Sequence, residues 1–468
     1  MAYDVIVLGS GPGGYPAAIR ASQLGLKVAI IEKESLGGVC LNWGCIPTKA
    51  LLKSAQVYEY LKHSADYGIQ STGVRHDFGA VVKRSRGVAD KMSKGVQFLM
   101  KKNKIDVVMG YGKVAGKGRV QVTAADGTVQ TVEGRYVIIA TGARSRQLPS
   151  MPIDGKKIIG YREAMVLPEQ PKSMIVVGSG AIGVEFADFY NSMGTKVTVV
   201  EFMPRIVPVE DEDVSKELEK QFRKKGVTIM TSSEVTSVDT SGSGVKAKVK
   251  SAAGESVLEA DILLSAVGIA SNIENIGLEE SGVKVEKGRI TVDPHQQTSV
   301  PGIYAIGDCS PGQALAHVAS KEGITAAEHI AWLEKKLAHA PEAIDYNNIP
   351  GCTYCSPEVA SVGYTEKAAR DAGYEVKVGK FPFMASGKAS ASGSTEGFVK
   401  VVFDAKYGEF LGAHMIGAGV TEMIAEAVAA RKLETTHHEI LNAIHPHPTM
   451  SEALKEAVAA AYGEAIDI

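Results

Sequence analysis

Two thiols in one short segment are the residues best suited to chemistry in this 468-residue chain. Cys40 and Cys45 sit in Gly37-Gly38-Val39-Cys40-Leu41-Asn42-Trp43-Gly44-Cys45-Ile46-Pro47-Thr48-Lys49, separated by four residues. On a helix that spacing puts them more than one turn apart, so some unwinding is needed before the sulfurs reach disulfide distance. The alternative, two buried and inert cysteines, fits poorly with the glycines, proline and lysine crowded around them. A second constellation is His445-Pro446-His447-Pro448-Thr449-Met450-Ser451-Glu452. A carboxylate five residues after a histidine, at a helix start, can hold one ring nitrogen, fix the tautomer and raise the basicity of the other. Taken alone, such a histidine is more often a core or surface residue, and nothing in the sequence brings it to the cysteines.

The elements that must position these residues are easier to read. Val5-Ile6-Val7-Leu8-Gly9-Ser10-Gly11-Pro12-Gly13-Gly14 reads as a buried strand running through a glycine turn into a helix. Ile175-Val176-Val177-Gly178-Ser179-Gly180-Ala181-Ile182-Gly183 reads the same way. Each is followed by a strand ending in an acid, Val28 to Glu32 and Val197 to Glu201, and the two units keep one register, since 178 − 9 and 201 − 32 both give 169. Uninterrupted Val/Ile runs mark strands covered on both faces, as in a parallel sheet. In this context Gly9 makes the tight turn, Gly11 lets the backbone approach a pyrophosphate and Gly14 lets helix and strand pack; Gly178, Gly180 and Gly183 repeat the pattern. The helix N-termini offer N–H groups and partial positive charge to phosphates. Glu32 and Glu201 are placed to accept from ribose hydroxyls. A carboxylate at 201 welcomes a free 2′-hydroxyl and repels a 2′-phosphate, which points to NAD over NADP. Arg205, four residues on, is the group that could instead face such a phosphate.

Further buried strands run through Arg135–Ala143, Asp261–Gly268 and Gly302–Asp308, and a helix is expected from about Thr325 to Leu337. After Pro350 the pattern changes to shorter strands (Phe398 to Phe403), a glycine turn and an alanine-rich helix from Thr421. This reads as a separate α+β domain. The chain is too long for one core, so two to four domains are expected. A net charge of −2 gives no electrostatic case for nucleic acid. No apolar run approaches the roughly 20 residues of a membrane helix. No export signal is visible at the N-terminus, and five cysteines are an odd number for a disulfide scaffold, so the expected compartment is the cytoplasm.

The cysteine block, the two glycine motifs, Ala140-Thr141-Gly142, Gly307-Asp308 and the C-terminal His-Pro-Thr block resemble the pyridine nucleotide–disulfide oxidoreductases, in that family's order and over essentially the whole chain. Cys-Leu-Asn-Trp-Gly-Cys-Ile-Pro-Thr-Lys-Ala-Leu and Gly183-Val184-Glu185 resemble the branch that oxidises dihydrolipoamide. The resemblance implies an α/β fold with two Rossmann-like dinucleotide-binding domains and a C-terminal α+β dimerisation domain. Residues 1–145 would begin the FAD-binding domain, 146–270 bind NAD, 271–344 complete the FAD domain and 345–468 form the interface. Cys40 would be the exchange thiol and Cys45 the thiol beside FAD. Lys49 would lie near the flavin, paired with Glu185. Asp308 would hold the ribityl chain, with Gly112, Thr141, Gly142 and Ala316 at further flavin contacts. Glu201, Val235 and Gly268 would line the NAD site. His447, oriented by Glu452, would be the base, supplied by the partner subunit of a homodimer. The implied partners are the lipoyl domains of 2-oxo acid dehydrogenase complexes or of the glycine cleavage system, and no metal is implied.

Three places depart from the family. Gly268-Ile269-Ala270-Ser271-Asn272 stands where arginine and proline are usual. Cys352-Thr353-Tyr354-Cys355 is a pair the family does not require; one such pair cannot complete a tetrahedral zinc site, and it is expected to pack as small residues. Cys309 is expected to pack likewise. Two rivals share the class. A mercuric reductase would need a further thiol pair near residue 468, where Ala461–Ile468 has none, and a glutathione reductase would prefer a basic residue at 201. A flavin-free binding subunit is the rival from another class; Cys40, Cys45 and His447 argue against it.

Overall fold

The computed structural model describes residues 2–468. The chain forms two compact units. The first comprises residues up to Leu51, Gly79–Arg146 and Gly268–Ile344. Its sheet is parallel in the order Asp106–Met109, Val28–Glu32, Tyr3–Leu8, Val129–Ile139 and Ile303–Ala305. The register Val5↔Val28 and Val5↔Tyr136 places apolar side chains on both faces of the central strand. One face is covered by the helices Gly14–Gln23 and Ala316–Leu333, through Ala17, Ala18 and Ala21 with Ala326, Ala327 and Ile330. The second of these helices begins at Ala316, earlier than the expected Thr325. In its first turn Ala316 is half buried and Val318 and Ala319 are buried, and packing supplies a helical start that periodicity alone does not mark. The far half of Val129–Ile139 turns out into an antiparallel ribbon with Arg119–Thr123 and Tyr111–Val114.

The second unit holds Leu52–Phe78, Gln147–Val267 and Asp345–Ile468. Its parallel sheet runs Thr228–Met230, Lys196–Val200, Ser173–Val177, Ile262–Ser265 and Ile158–Ile159. A five-stranded antiparallel sheet follows, with Phe398–Asp404 and Phe410–Gly417 at its centre. Every residue of these two strands is buried, beneath the helices Val420–Lys432 and Glu452–Tyr462. Among the described residues no helix is long and apolar enough to cross a membrane.

Candidate active site

The cysteine segment is two helices. Gly38–Trp43 stops at Gly44, whose backbone (φ −144°, ψ −117°) leaves helical geometry, and Cys45–Lys62 starts at once. This is the unwinding that the Cys40–Cys45 spacing requires. Local hydrogen bonds fix the break: Asn42 Nδ2 donates to Leu36 O (3.1 Å) and Gly38 O (2.9 Å), and Thr48 Oγ1 donates to Gly44 O (2.8 Å). The segment also lies directly on the first glycine turn. Gly38 takes φ +61°, and a Cβ there would meet Gly11 Cα at 2.5 Å, so only glycine permits this approach. Gly37 N–H donates to Ser10 Oγ (3.2 Å). The thiols are therefore carried by a segment that packs against the turn making the dinucleotide cradle.

Across the break the side chains of Cys40 and Cys45 hydrogen bond to each other. That bond, then burial, then the neighbouring Cys45 charge push the Cys40 thiol well up, with Lys49 pulling the other way. Lys49 stands one turn beyond Cys45, half buried.

Both glycine turns have one construction. Gly9 and Gly178 take positive φ. A Cβ on Gly14 would meet Gly9 O at 1.9 Å, and one on Gly183 would meet Gly178 O at 2.0 Å. Each terminal acid anchors its own turn. Glu32 Oε2 accepts from Ser10 N (3.0 Å) and Ser10 Oγ (2.6 Å), while Oε1 accepts from Glu34 N (2.9 Å). Glu201 Oε2 accepts from Ser179 N (2.7 Å) and Ser179 Oγ (2.6 Å), while Oε1 accepts from Met203 N (2.7 Å). A carboxylate has about four lone-pair positions, so each keeps room for a ribose hydroxyl. The repeated Gly-Ser-Gly displays Ser10 and Ser179 in the sequence, but only the fold makes them carboxylate anchors. The turns also suit a pyrophosphate. The helices Gly14–Gln23 and Ala181–Ser192 carry no acid in their first turns. Nothing lies within 4 Å of a Cβ built on Gly180, so ligand can approach that backbone. Arg205 donates to Pro208 O (3.0 Å) and Glu210 O (3.5 Å) within its own loop.

The remaining positions that the family resemblance assigns to the flavin side lie at turns of the first unit. Thr141 and Gly142 follow Val129–Ile139, Asp308 lies in the 3₁₀ turn Gly307–Cys309, and Ala316 opens its helix. Burial pushes the Asp308 carboxyl up, with Arg289 opposing. The segment that departs from the family pattern binds these turns together. Ile269–Ser271 pairs with Ala143–Ser145, Ser271 Oγ donates to Asp308 O (2.7 Å) and Asn272 Nδ2 donates to Thr141 O (3.0 Å). Gly112, on Tyr111–Val114, faces Leu8 and Ile31. Gly268 takes φ +104°.

In the second unit Val235 is buried at the start of Glu234–Asp239. Glu185 is buried in Ala181–Ser192 and accepts from Tyr354 N (3.0 Å). His447 Nδ1 lies 2.9 Å from Glu452 Oε1, and Glu452 Oε2 accepts from Thr449 N (2.8 Å). The Thr449 N–H bond leads in holding the Glu452 carboxyl below its usual range, so a carboxylate faces Nδ1. Nδ1 then carries hydrogen and Nε2 is the basic nitrogen. With 78% of its side chain exposed, His447 presents Nε2 outward. His445 differs: it is 7% exposed, and both its nitrogens are engaged, with Glu426 Oε1 (2.7 Å) and Ala443 O (3.1 Å). Cys309 and Cys355 are buried, each with its thiol pushed up by burial, while Cys352 is half buried on Gly351–Thr353. Among the described residues no group of His, Cys, Asp or Glu could hold a metal ion.

The family model described as pyridine nucleotide-disulphide oxidoreductase matches residues 3–323, and that described as the family's dimerisation domain matches 349–458. The chain belongs to this family. Among its pyridine nucleotide-disulphide oxidoreductase relatives, the dihydrolipoyl dehydrogenase of Rhizobium etli is 50% identical, covering 99% of both chains. That of Bacillus subtilis is 47% identical, again over 99% of both. Of solved structures, LpdA from Mycobacterium tuberculosis superposes with a TM-score of 0.90 at 28% identity, covering 97% of this chain and 99% of its own. The HOCl-induced flavoprotein disulfide reductase RclA from Escherichia coli gives 0.87 at 25% identity, covering 98% and 99%.

Proposed function

We propose that the chain oxidises protein-bound dihydrolipoamide to lipoamide with reduction of NAD, as an FAD-containing homodimer in the cytoplasm. The lipoyl groups would come from a 2-oxo acid dehydrogenase complex or the glycine cleavage system. The observation that carries this reading is the Cys40–Cys45 pair, set across a helix break that packs on a dinucleotide turn. Near full-length identity to dihydrolipoyl dehydrogenases supports it. Bound FAD, cradled by Gly9, Gly11, Gly14 and Glu32, would supply the two-electron step between the thiols and NAD.

The protein's residues do the rest. His447 Nε2 takes a proton from one lipoyl thiol, and the thiolate attacks Cys40 Sγ of the Cys40–Cys45 disulfide. The sulfur–sulfur bond breaks with its electron pair on Cys45. His447 releases that first proton to solvent and takes the one on the second lipoyl thiol, which then attacks the lipoyl sulfur of the mixed disulfide, closes the ring and releases Cys40. Cys40 then takes that second proton from His447. His447 of one copy would serve the cysteine pair of the other, consistent with its outward-facing Nε2.

The test is NADH formation with dihydrolipoamide, with NADP and glutathione as controls. Fast turnover with dihydrolipoamide and NAD is expected; a yellow protein that ignores dihydrolipoamide would move the substrate to another disulfide. His447→Gln is expected to cost about 10²–10⁴ in kcat. Glu452→Ala should cost less, since it leaves the base and removes only the group that orients it; equal losses from both would reject that division. Glu201→Ala is expected to lower the kcat/KM preference for NAD over NADP by about tenfold or more, the worth of one hydrogen bond to a charged group. An unchanged ratio would remove Glu201 from that role.

A further inference from the structure

The helix break between the cysteines is held from outside as well as from within. Phe78–Lys102 is a long helix that lies in the first unit from Gly79 on, and two of its arginines reach the cysteine segment, one on each side of Gly44. Arg86 Nη2 donates to Asn42 O, and its guanidinium lies 4.4 Å from the centre of the Trp43 ring. Asn42 O belongs to the last turn of Gly38–Trp43, whose carbonyls have no helical successor to pair with, and a cation suits that end of a helix. Arg84 Nη1 donates to Ala50 O (2.7 Å), on the Cys45–Lys62 side. One rigid helix therefore grips both pieces of the interrupted one.

We propose that Arg84 and Arg86 form a clamp across the Gly44 break that holds Cys40 and Cys45 within bonding reach and thereby favours their disulfide over the dithiol. They are positioning residues. The inference rests on the reading of Cys40 and Cys45 as the redox pair. The physical argument is one of effective concentration. A disulfide demands sulfurs about 2.05 Å apart with fixed dihedral angles, whereas two thiols demand nothing comparable. Letting the two helices part therefore gives freedom mainly to the dithiol. A clamp that removes this freedom raises the effective concentration of one thiol at the other. The fork and stacking surface of arginine suit such a grip, which a point charge does not supply.

The test equilibrates the holoenzyme with glutathione–glutathione disulfide mixtures, blocks thiols by alkylation and counts the Cys40–Cys45 disulfide by mass. In the exchange two glutathione thiols supply two electrons and two protons, become one disulfide, and leave Cys40 and Cys45 as thiols. Arg86→Met is expected to lower the effective concentration severalfold. The double variant R84M/R86M should lower it about tenfold, which corresponds to a midpoint about 30 mV less negative. Lys94→Met serves as the control on the same helix, since Lys94 is exposed and pairs with Asp90 (2.6 Å); it should leave the midpoint in place. Midpoints within twofold of the parent in R86M and R84M/R86M, with flavin retained, would overturn the clamp, as would an equal shift in K94M. Should R86M lose its flavin, Arg84→Met alone carries the test: it leaves the Trp43 face intact and must still shift the midpoint in the same direction. If the parent pair forms no disulfide at any ratio, the proposed function fails rather than the clamp.

Discussion

Cys45→Ser is expected to abolish dihydrolipoamide turnover, by at least about a thousandfold, while the purified protein stays yellow. The two halves of this result have separate causes. Serine is close to cysteine in shape and can keep a hydrogen bond to Cys40, so the break at Gly44 and the start of Cys45–Lys62 are preserved. It cannot form or accept a sulfur–sulfur bond, so the pair can no longer store two electrons, and no other described cysteine replaces it. Cys309 and Cys355 are buried with raised thiols, and Cys352 lies in the other unit. The dinucleotide cradle is built from Gly9, Gly11, Gly14 and the Ser10–Glu32 anchor, none of which involves the sulfur. Flavin content is measured by absorbance after extraction. Apoprotein would remove Cys45 from its assigned place, and retained turnover would remove the disulfide from the mechanism.

What could be read in the sequence, and what could not, divides by the range of the contacts. Both βαβ units were legible because their signal is local and doubled: buried Val/Ile runs, glycines at fixed offsets and a terminal acid in the same register. The His447–Glu452 pair was legible for the same reason, since five residues and a helix start bring the groups together. The need for an unwound turn between Cys40 and Cys45 followed from spacing alone, and Gly44 meets it. By contrast, Arg86–Asn42 joins groups 44 residues apart, and nothing in helical periodicity marks which partner an arginine will find. The segment Gly268–Asn272 read only as a departure from the family; its role in tying the Thr141 and Asp308 turns depends on strand pairing with Ala143–Ser145. Lys400 is the sharpest case. In Phe398-Val399-Lys400-Val401-Val402-Phe403 its charge lies on a strand that is covered on both sides, and its carboxylate partners are distant in sequence.

Lys400→Met is expected to be strongly destabilising, by about 3 kcal/mol at neutral pH. With 5% of its side chain exposed, Lys400 meets Asp211 at 3.0 Å, Asp213 at 3.1 Å and Glu366 at 2.9 Å. Asp211 is itself buried, and caps Glu212–Lys224 by accepting from Asp213 N (3.0 Å). Methionine fills the same volume but leaves these carboxylates without their shared cation, the costly way to break a buried cluster. The lower end of the usual 3–5 kcal/mol range applies because Asp213 and Glu366 are about a third exposed. The pH dependence follows from the shifts. Burial works against the Lys400 charge, but Glu366, Asp211 and Asp213 outweigh it and raise its pKa, so its contribution is complete below about 10.4 and is lost only as pH rises through the folded value. The Lys400 hydrogen bond leads in lowering Glu366, and at Asp213 the lysines overcome the opposing effect of burial. The carboxylate share is therefore complete above about 4 and is lost as pH falls through the lowered folded values. Thermal melts of parent and variant should differ most from about pH 5 to 9 and converge below about pH 3. A difference independent of pH would mean that the lysine stabilises by packing its stem and not through its charge.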